Sequence, residues 1–484
     1  IDTITRNQIA LAIFLLLNLW VAFKAIVKKP RTMREYALAN QSLGISTLMM
    51  TLFATLMSSN LIGLNVAYAN GIIGFIYPFC FAFMAMLLGW FIFPNLVNFT
   101  QCYTMADVMY KIYGPFARLC TVLVSSLFTL VVVVIQLQAV GHMGSLVGIK
   151  PFWLILMVGL FITLYTSLGG VRAVAFTDVI QFAAFWGGIL FVAYTVVIHY
   201  GGLQAIWENI PDDNNNIKKR FFCYPNFGQR FFSAFFWAIW PTILISPAVI
   251  QRVLMTRNKQ QVRHMFVAFG SSYMCLRILT FFIGCCLFFA PKGSLPKSLS
   301  LNQIIDQLSL NPMVKMAFLI TFLGIVISTV DSLLNTLSVM WAHNLIKPYQ
   351  KRKQNEENTI KMSSKITLIL GCCITLIACY NTRKMFDLVE YSYIIISCIT
   401  IPFILGVKGL KGNDTIFQLT IGSFCAIFFF MFFYLKESAL LKNLIELLCD
   451  NYNTTRSPLL HNPLHIKFSW FFAIIGSSIA LFPF

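Results

Sequence analysis

The sequence predicts an all-α protein that crosses a membrane many times, and three observations support this fold class. Of the 484 residues, 58% are hydrophobic and only 11% are charged, whereas about a quarter of the residues of a soluble domain are charged. The mean hydropathy is +0.76. Apolar stretches of about 20 residues, each long enough to span a bilayer as a helix, recur from one end of the sequence to the other.

About thirteen apolar segments alternate with polar loops, and we expect each segment to form a transmembrane helix. Their predicted bounds, accurate to a few residues, are 8–27, 44–68, 71–98, 118–146, 152–169, 175–199, 230–256, 264–290, 312–344, 364–380, 386–407, 414–435 and 466–484. The stretch 200–229 between the sixth and seventh segments is expected to be an extracellular loop.

The formal net charge of +19 follows from topology rather than from nucleic-acid binding, because the basic residues lie in loops. Three loops, after the first, seventh and ninth segments, are rich in lysine and arginine. They include Lys28, Arg34, Arg252, Arg257, Lys351 and Arg352. Loops of this kind are cytoplasmic. We therefore expect a multi-pass plasma-membrane protein, in a bacterial inner membrane, with its N-terminus outside and its C-terminus in the cytoplasm.

Two of the segments are interrupted by residues that disturb a helix. The second contains Thr55, Ser58, Ser59, Asn60 and Gly63, and the seventh contains Trp240, Pro241, Thr242, Ser246 and Pro247. These segments are five apart, so two five-segment halves would face opposite ways across the membrane. Broken helices at matching positions of inverted repeats indicate a binding site at the middle of the membrane. The alternative is that one proline kink and one polar kink coincide by chance.

The ninth segment carries a polar face. At helical spacing it places together Ile325, Ser328, Thr329 and Ser332. Sodium is a hard cation that prefers oxygen ligands, as related cations do. The hydroxyls of Ser328 and Thr329, with backbone carbonyls of Ala54 and Met57 freed at the break of the second segment, would supply them. A single hydroxyl of this kind more often bonds a carbonyl of its own helix.

Two aspartates lie in apolar segments, where an unpaired charge is costly. Asp331 is near the middle of the ninth segment, and Asp178 begins the sixth. If these segments pack together, the two carboxylates and Ser332 would suit a second sodium ion or a proton. The alternative, which we weigh evenly, is an ion pair between Asp331 and Arg277.

Other polar and aromatic residues are candidates for a solute cavity. Trp240 and Pro241 lie at the break of the seventh segment, and Gln136 is a polar residue in the fourth; each has core packing or an interhelical hydrogen bond as its alternative. The six histidines show no metal or catalytic spacing, and no phosphate-binding loop is present. We therefore expect no enzyme activity, no cofactor, and no metal apart from sodium.

Four stretches of the sequence resemble the sodium/solute symporter family. They are 169–181 (GGVRAVAFTDVIQ), 328–332 (STVDS), Gln251-Arg252 followed by 257–259 (RNK), and 53–59 (FATLMSS). The resemblance implies a LeuT-type fold, in which two inverted five-helix repeats have broken helices two and seven. It implies an extra helix and loop at 1–43, repeats at 44–199 and 230–411 separated by the loop 200–229, and two further helices at 412–484.

The resemblance also implies site residues. By motif match, a sodium ion would be held by Ala54, Met57, Ile325, Ser328 and Thr329. Some members have a further sodium site, which would fall on Asp178, Asp331 and Ser332. The resemblance implies sodium-coupled import of a small organic solute by alternating access, with the solute, sodium and the bilayer as partners, no nucleic acid, and no obligate protein partner.

The identity of the solute stays open. The glutamate by which sugar-transporting relatives bind sugar would align with Pro78, which disfavours a sugar. A proline-transporting relative has an aspartate where Leu56 lies, and its tryptophan aligns within one residue of Trp240. An amino acid such as proline, a monocarboxylate or a vitamin are favoured, with Ser58, Ser59 and Asn60 also in the cavity. A membrane sensor of the same fold and a proton-coupled or sugar-transporting member are the alternatives.

Overall fold

A computed structural model describes residues 2–26, 30–57, 73–99, 101–199, 201–202, 204, 243–288, 312–349, 356–380, 385–410, 412–422 and 424–425. Within these ranges the chain is helical and contains no strand. The α-helices are α1 (Thr3–Ile26), α2 (Met33–Leu38), α3 (Ile45–Leu56), α4 (Ile73–Phe91), α5 (Met105–Tyr113), α6 (Pro115–Gly141), α7 (Gly144–Val147), α8 (Pro151–His199), α9 (Pro247–Leu254), α10 (Lys259–Phe288), α11 (Pro312–Met340), α12 (Glu356–Cys379) and α13 (Met385–Lys408).

Among the described residues, seven helices are long and apolar enough to cross a membrane. They are α1, α6, α8, α10, α12, the segment Pro78–Asn98 that begins in α4, and Pro312–Ile346, which continues α11. In chain order, these seven helices correspond to the predicted segments one, three, four, five joined to six, eight, nine and ten. The eleventh corresponds to α13, and the twelfth begins with helical residues 414–422. The thirteenth, at 466–484, lies outside the described residues.

The predicted fifth and sixth segments meet directly, without the short loop that the sequence suggested at 170–174. They form α8, a helix of 49 residues whose only non-helical backbone is at Gly170, with φ 57° and ψ −164°. A side chain is disfavoured at this φ, and a Cβ there would lie 2.7 Å from the ring of Tyr36. Glycine therefore lets the chain change direction within one residue while α2 packs against the bend.

The two interrupted segments are described only at the edges of their breaks. In the second segment α3 ends at Leu56 and Met57 is its C-cap; Ser58, Ser59 and Asn60 lie outside the described residues. In the seventh, Ser246 has extended backbone and Pro247 opens α9, where a proline costs no helical hydrogen bond. Trp240 and Pro241 also lie outside the described residues.

Helices α8 and α11 form the centre of the described part of the chain. They pack against each other, and α1, α3, α6, α12 and α10 surround them. Close approach is possible because Gly188 of α8 faces Thr321 of α11, where a Cβ would overlap the hydroxyl. Every residue of α11 from Thr321 to Met340 is buried, so its polar residues have no contact with bulk water.

Two short helices were not predicted from the sequence. Helix α2 begins after Thr32, and α5 begins with a capping box in which Thr104 and Asp107 bond each other's backbone. Asp107 also accepts a hydrogen bond from Asn344, which lies in the π-helix Trp341–Ile346 that continues α11. These helices are six and nine residues long, too short for the apolar length that identified the spans.

Candidate functional site

Polar residues of α11 contact α8 and two short helices, α3 and α9, which are the described parts of the interrupted segments. The residues involved are fully or nearly fully buried. Along α11 they are Ser328, Thr329, Asp331, Ser332, Asn335 and Thr336. A buried polar group is stable only if it finds a partner, so the partners of these side chains define what the site can hold.

A cluster of oxygen atoms joins α11 to the last turn of α3. The hydroxyl of Ser328 lies 2.9 Å from the carbonyl oxygen of Ala54 and 3.0 Å from that of Ile325. The hydroxyl of Thr329 donates to the same Ile325 carbonyl over 3.0 Å. Met57 follows as the buried C-cap of α3. The structure thus brings Ser328, Thr329, Ala54 and Ile325 together, and their binding of sodium stays a prediction.

The chemistry of this cluster fits a hard monovalent cation. Its hydroxyl and carbonyl oxygens are uncharged oxygen ligands of the kind that hard cations bind. Thr329 shows the local bond to its own helix that is ordinary for a hydroxyl in a helix. Ser328 makes the same local contact with Ile325 and, in addition, a bond to Ala54 that crosses between two helices. This crossing bond places α3 and α11 in register around a small group of oxygens.

The two predicted carboxylates are both fully buried. Asp331 of α11 accepts hydrogen bonds from the hydroxyls of Tyr165 and, over 3.5 Å, Thr177, both in α8. Asp178, also in α8, accepts one from Thr51 of α3. In each carboxylate the Oδ1 atom has no hydrogen-bond partner. Helices α8 and α11 are in contact, which is the condition under which the sequence placed the two carboxylates in one region.

A buried arginine completes this region. The Nη2 atom of Arg252 lies 3.8 Å from Oδ2 of Asp178 and donates to the hydroxyl of Ser332 over 2.6 Å. Its Nε donates to the hydroxyl of Thr51 over 3.1 Å, and its Nη1 donates to Oε1 of Gln251 over 3.3 Å. Arg252 belongs to α9, so one guanidinium bonds α3, α8 and α11 to α9. All three guanidinium nitrogens have a partner.

The structure corrects the interpretation of Arg252 as one of the loop charges that set orientation, because its side chain is completely buried. The arginine proposed as the partner of Asp331 was Arg277, whose guanidinium lies 4.9 Å from the centre of the Tyr273 ring. The signal that could have identified Arg252 was the Gln251-Arg252 pair, which was noted only as part of a resemblance.

Several other polar residues of the site were also missed. Gln251 accepts a hydrogen bond from Thr336 and donates to the carbonyl of Ala37 over 3.0 Å. Thr55 bonds Ser332 over 3.0 Å. Threonine and tyrosine are common in apolar helices, and nothing in their spacing marks Thr51 or Tyr165 as partners of a carboxylate.

The predicted solute cavity is only partly described. Leu56 is buried at the end of α3, and Gln136 is buried in the middle of α6. Pro78 lies buried inside α4. The remaining cavity residues, Ser58, Ser59, Asn60, Trp240 and Pro241, lie outside the described residues, so the cavity stays a prediction.

Comparison with known proteins identifies relatives of the chain. The model of the sodium:solute symporter family matches residues 36–414. A putative sodium-dependent multivitamin transporter of Drosophila melanogaster is 21% identical over 76% of this chain and 64% of the relative. Human sodium-coupled monocarboxylate transporter 1 is 23% identical over 72% of this chain and 59% of the relative. The chain thus spans about three fifths of the length of these relatives, which are transporters rather than enzymes.

One solved structure shares the fold. A Na⁺-coupled sialic acid symporter, captured in a substrate-bound outward-open state, superposes with a TM-score of 0.76 at 17% identity. The match covers 99% of this chain and 98% of the symporter. At this identity the likeness establishes the fold, which is the LeuT-type helical architecture.

Proposed function

Since the chain belongs to the sodium:solute symporter family, we propose that it imports a small organic solute by sodium-coupled secondary transport. The observation that carries the proposal is the bond between the Ser328 hydroxyl and the Ala54 carbonyl. It places hydroxyl and carbonyl oxygens of α11 and α3 around one position at the edge of an interrupted helix. Interrupted helices of this kind bind the coupling ions in secondary transporters.

The proposed sodium site consists of the carbonyls of Ala54, Met57 and Ile325 with the hydroxyls of Ser328 and Thr329. When sodium binds, each hydroxyl turns its proton away and presents a lone pair to the ion. The ion then takes the place of the hydrogen bond that joins Ser328 of α11 to Ala54 of α3. Because α3 leads into the interrupted segment, sodium binding fixes the backbone next to the solute cavity.

Coupling follows as a linkage between two ligands on one conformational equilibrium. Sodium and solute each favour the state in which α3 rests on α11, so each raises the affinity for the other. Sodium entering a negative cell gains about 2.3 kcal/mol per 100 mV of membrane potential, which drives the solute inward. We propose a bacterial plasma membrane as the location, the N-terminus outside, and repeats at 44–199 and 230–411.

For the solute we propose a monocarboxylate, a vitamin or an amino acid such as proline rather than a neutral sugar. Two relatives are described as transporters of vitamins and of monocarboxylates. Pro78, where a sugar-binding glutamate would align, lies inside α4 and offers no acceptor side chain. Leu56, Ser58, Ser59, Asn60, Gln136, Trp240 and Pro241 are the proposed cavity residues.

The test is sodium-dependent binding and uptake. The purified protein is heated in sodium chloride and in equimolar choline chloride, alone and with a panel of carboxylates, vitamins, amino acids and sugars. We expect sodium to raise the melting temperature, and one solute class to enlarge that rise. Uptake of the responding solute into proteoliposomes should then require a sodium gradient.

The site assignment is tested by Ser328→Ala combined with Thr329→Ala, which removes two of about five oxygen ligands. We expect the sodium concentration for half-maximal stabilisation to rise by about tenfold or more, equivalent to about 1.4 kcal/mol. The control is Thr121→Ala, which removes a buried hydroxyl that bonds Ala117 of its own helix. An unchanged sodium response in the double variant would exclude this site.

A further inference from the structure

We infer that the guanidinium of Arg252 is a resident cation that occupies the second cation site, so that one sodium ion, not two, binds while it is in place. The inference rests on the proposed sodium transport and concerns how many ions accompany the solute. It assigns to Arg252 the role of setting this stoichiometry. The three residues of the second site are Asp178, Asp331 and Ser332, and Arg252 contacts two of them.

Arg252 occupies the ligands that an ion would need at this site. Its Nη2 atom lies 2.6 Å from the Ser332 hydroxyl and 3.8 Å from Oδ2 of Asp178. The Ser332 hydroxyl is also paired with Thr55 over 3.0 Å. A hydroxyl oxygen has two lone pairs and one proton, so Ser332 has little left to offer a sodium ion beside the guanidinium.

The guanidinium is held in a fixed position by hydrogen bonds and is not exposed to solvent. Thr51 accepts from Nε and Gln251 accepts from Nη1, and the side chain is completely buried. Gln251 is itself fixed by Ala37 and Thr336. Arginine suits such a role because its planar group loses little freedom for each hydrogen bond formed.

Charge repulsion also opposes the binding of a sodium ion beside the guanidinium. Sodium and guanidinium each carry one positive charge, so either one offsets the charge of Asp178 to the same extent. Both together, about 4 Å apart in a buried site, would repel each other strongly. The charge of Asp331 is offset in part by hydrogen bonds from Tyr165 and Thr177. The unpartnered Oδ1 atoms of the two aspartates are the additional ligands that an ion would find once the guanidinium is withdrawn.

The consequence is that removal of the guanidinium should create a second sodium site. Arg252→Gln removes the positive charge of the guanidinium from beside the two carboxylates and Ser332. A buried pair of carboxylates without a counter-ion is costly. A proton or a sodium ion can replace it, and at saturating sodium we expect sodium to do so. We expect the unaltered protein to bind about one sodium ion and Arg252→Gln to bind about two, because the cost of the unpaired carboxylates drives the second binding.

The experiment is equilibrium binding of ²²Na⁺ to the purified full chain in detergent, titrated to saturation, so that no solute has to be known. Arg252→Lys keeps the positive charge and should keep the binding of the unaltered protein. Asp178→Asn combined with Arg252→Gln should return the count to one ion. The matched control is Arg257→Gln, since Arg257 is an exposed arginine that donates to the carbonyl of Gln41.

The outcomes separate the inference from the proposed function. If the unaltered protein binds no sodium, the proposed sodium transport fails first. If it binds one ion and Arg252→Gln also binds one, or if it binds two with Arg252 present, sodium transport stands and the role of Arg252 is refuted. Should Arg252→Gln fail to fold, Thr51→Val decides. It removes the acceptor of the Arg252 Nε and lets the guanidinium withdraw from Asp178, so a second sodium ion must then bind at high sodium concentration, where the unaltered protein binds one.

Discussion

The hydroxyl of Tyr165 should stabilise the fold more than a buried tyrosine hydroxyl ordinarily does. It donates to the carboxylate of Asp331, and both residues are fully buried. The other hydroxyl near that carboxylate, Thr177, has one proton, and it lies closer to the carbonyls of Ala173 and Val174, at 3.1 and 2.9 Å. Its distance to the carboxylate is 3.5 Å. Tyr165 is therefore the principal donor to Asp331.

The magnitude is worked out for an ionised Asp331, and the double-mutant cycle below tests that charge state. A hydrogen bond to a charged group contributes about 1.5–3 kcal/mol, and a neutral one about 0.5–1.5 kcal/mol. Tyr165→Phe removes the donor, leaves the ring in place, and should lower the free energy of unfolding by about 1.5–3 kcal/mol. Tyr113→Phe is the matched control, because the buried Tyr113 hydroxyl donates over 2.8 Å to the neutral carbonyl of Pro402.

The assay is equilibrium unfolding in mixed micelles, followed by tryptophan fluorescence in choline chloride so that sodium does not contribute. A double-mutant cycle with Asp331→Asn isolates the charge, since Tyr165→Phe in that background removes only a neutral bond of about 0.5–1.5 kcal/mol. The reasoning is refuted if Tyr165→Phe costs no more than Tyr113→Phe, or if the cycle shows no coupling between Tyr165 and Asp331.

Two further predictions use the same unfolding assay. Thr104→Ala removes the N-cap hydroxyl that accepts from the backbone of Asp107, and should cost about 1 kcal/mol; an unchanged stability would mean that the capping box is not formed. Gly188→Ala places a Cβ against the hydroxyl of Thr321, whereas Gly187→Ala meets nothing within 4 Å. The first should cost about 1–3 kcal/mol through overpacking and the second little, and equal effects would contradict the packing of α8 on α11.

The long helices could be predicted from the sequence because one physical quantity determines them. A span needs about 20 apolar residues, and α1, α6, α8, α10, α11 and α12 all provide them. The helices α2 and α5 were missed because each is short and carries polar caps, features that resemble a loop. The direct junction at Gly170 was missed because a single glycine replaces the turn that the sequence suggested.

The candidate site could be predicted only as far as local spacing reaches. Residues of one helix, such as Ser328 and Thr329, share a face by geometry alone, and a resemblance extended this to Ala54. Arg252 was assigned to a loop because the charge rule for orientation counts basic residues near the ends of spans and says nothing of burial. Its partners lie far away in sequence, up to 201 residues for Thr51, and no periodicity within one segment reports such contacts.

The spacing of three hydroxyls on α11 relates the two proposed ion sites to the short helices α3 and α9. Ser328, Ser332 and Thr336 recur every four residues and therefore lie on one face. The first bonds Ala54 of α3, the second bonds Arg252 of α9, and the third bonds Gln251 of α9.

A change at any one of these contacts alters how α3 or α9 rests on the same face of α11. A ligand shifts a conformational equilibrium only through contacts that differ between the two states. A sodium ion at Ser328 replaces the contact with α3, whereas a second ion at Ser332 would have to displace the contact with α9. On the proposal made above, the same side chain, Arg252, would set both the cation count and the contact of α9 with α11.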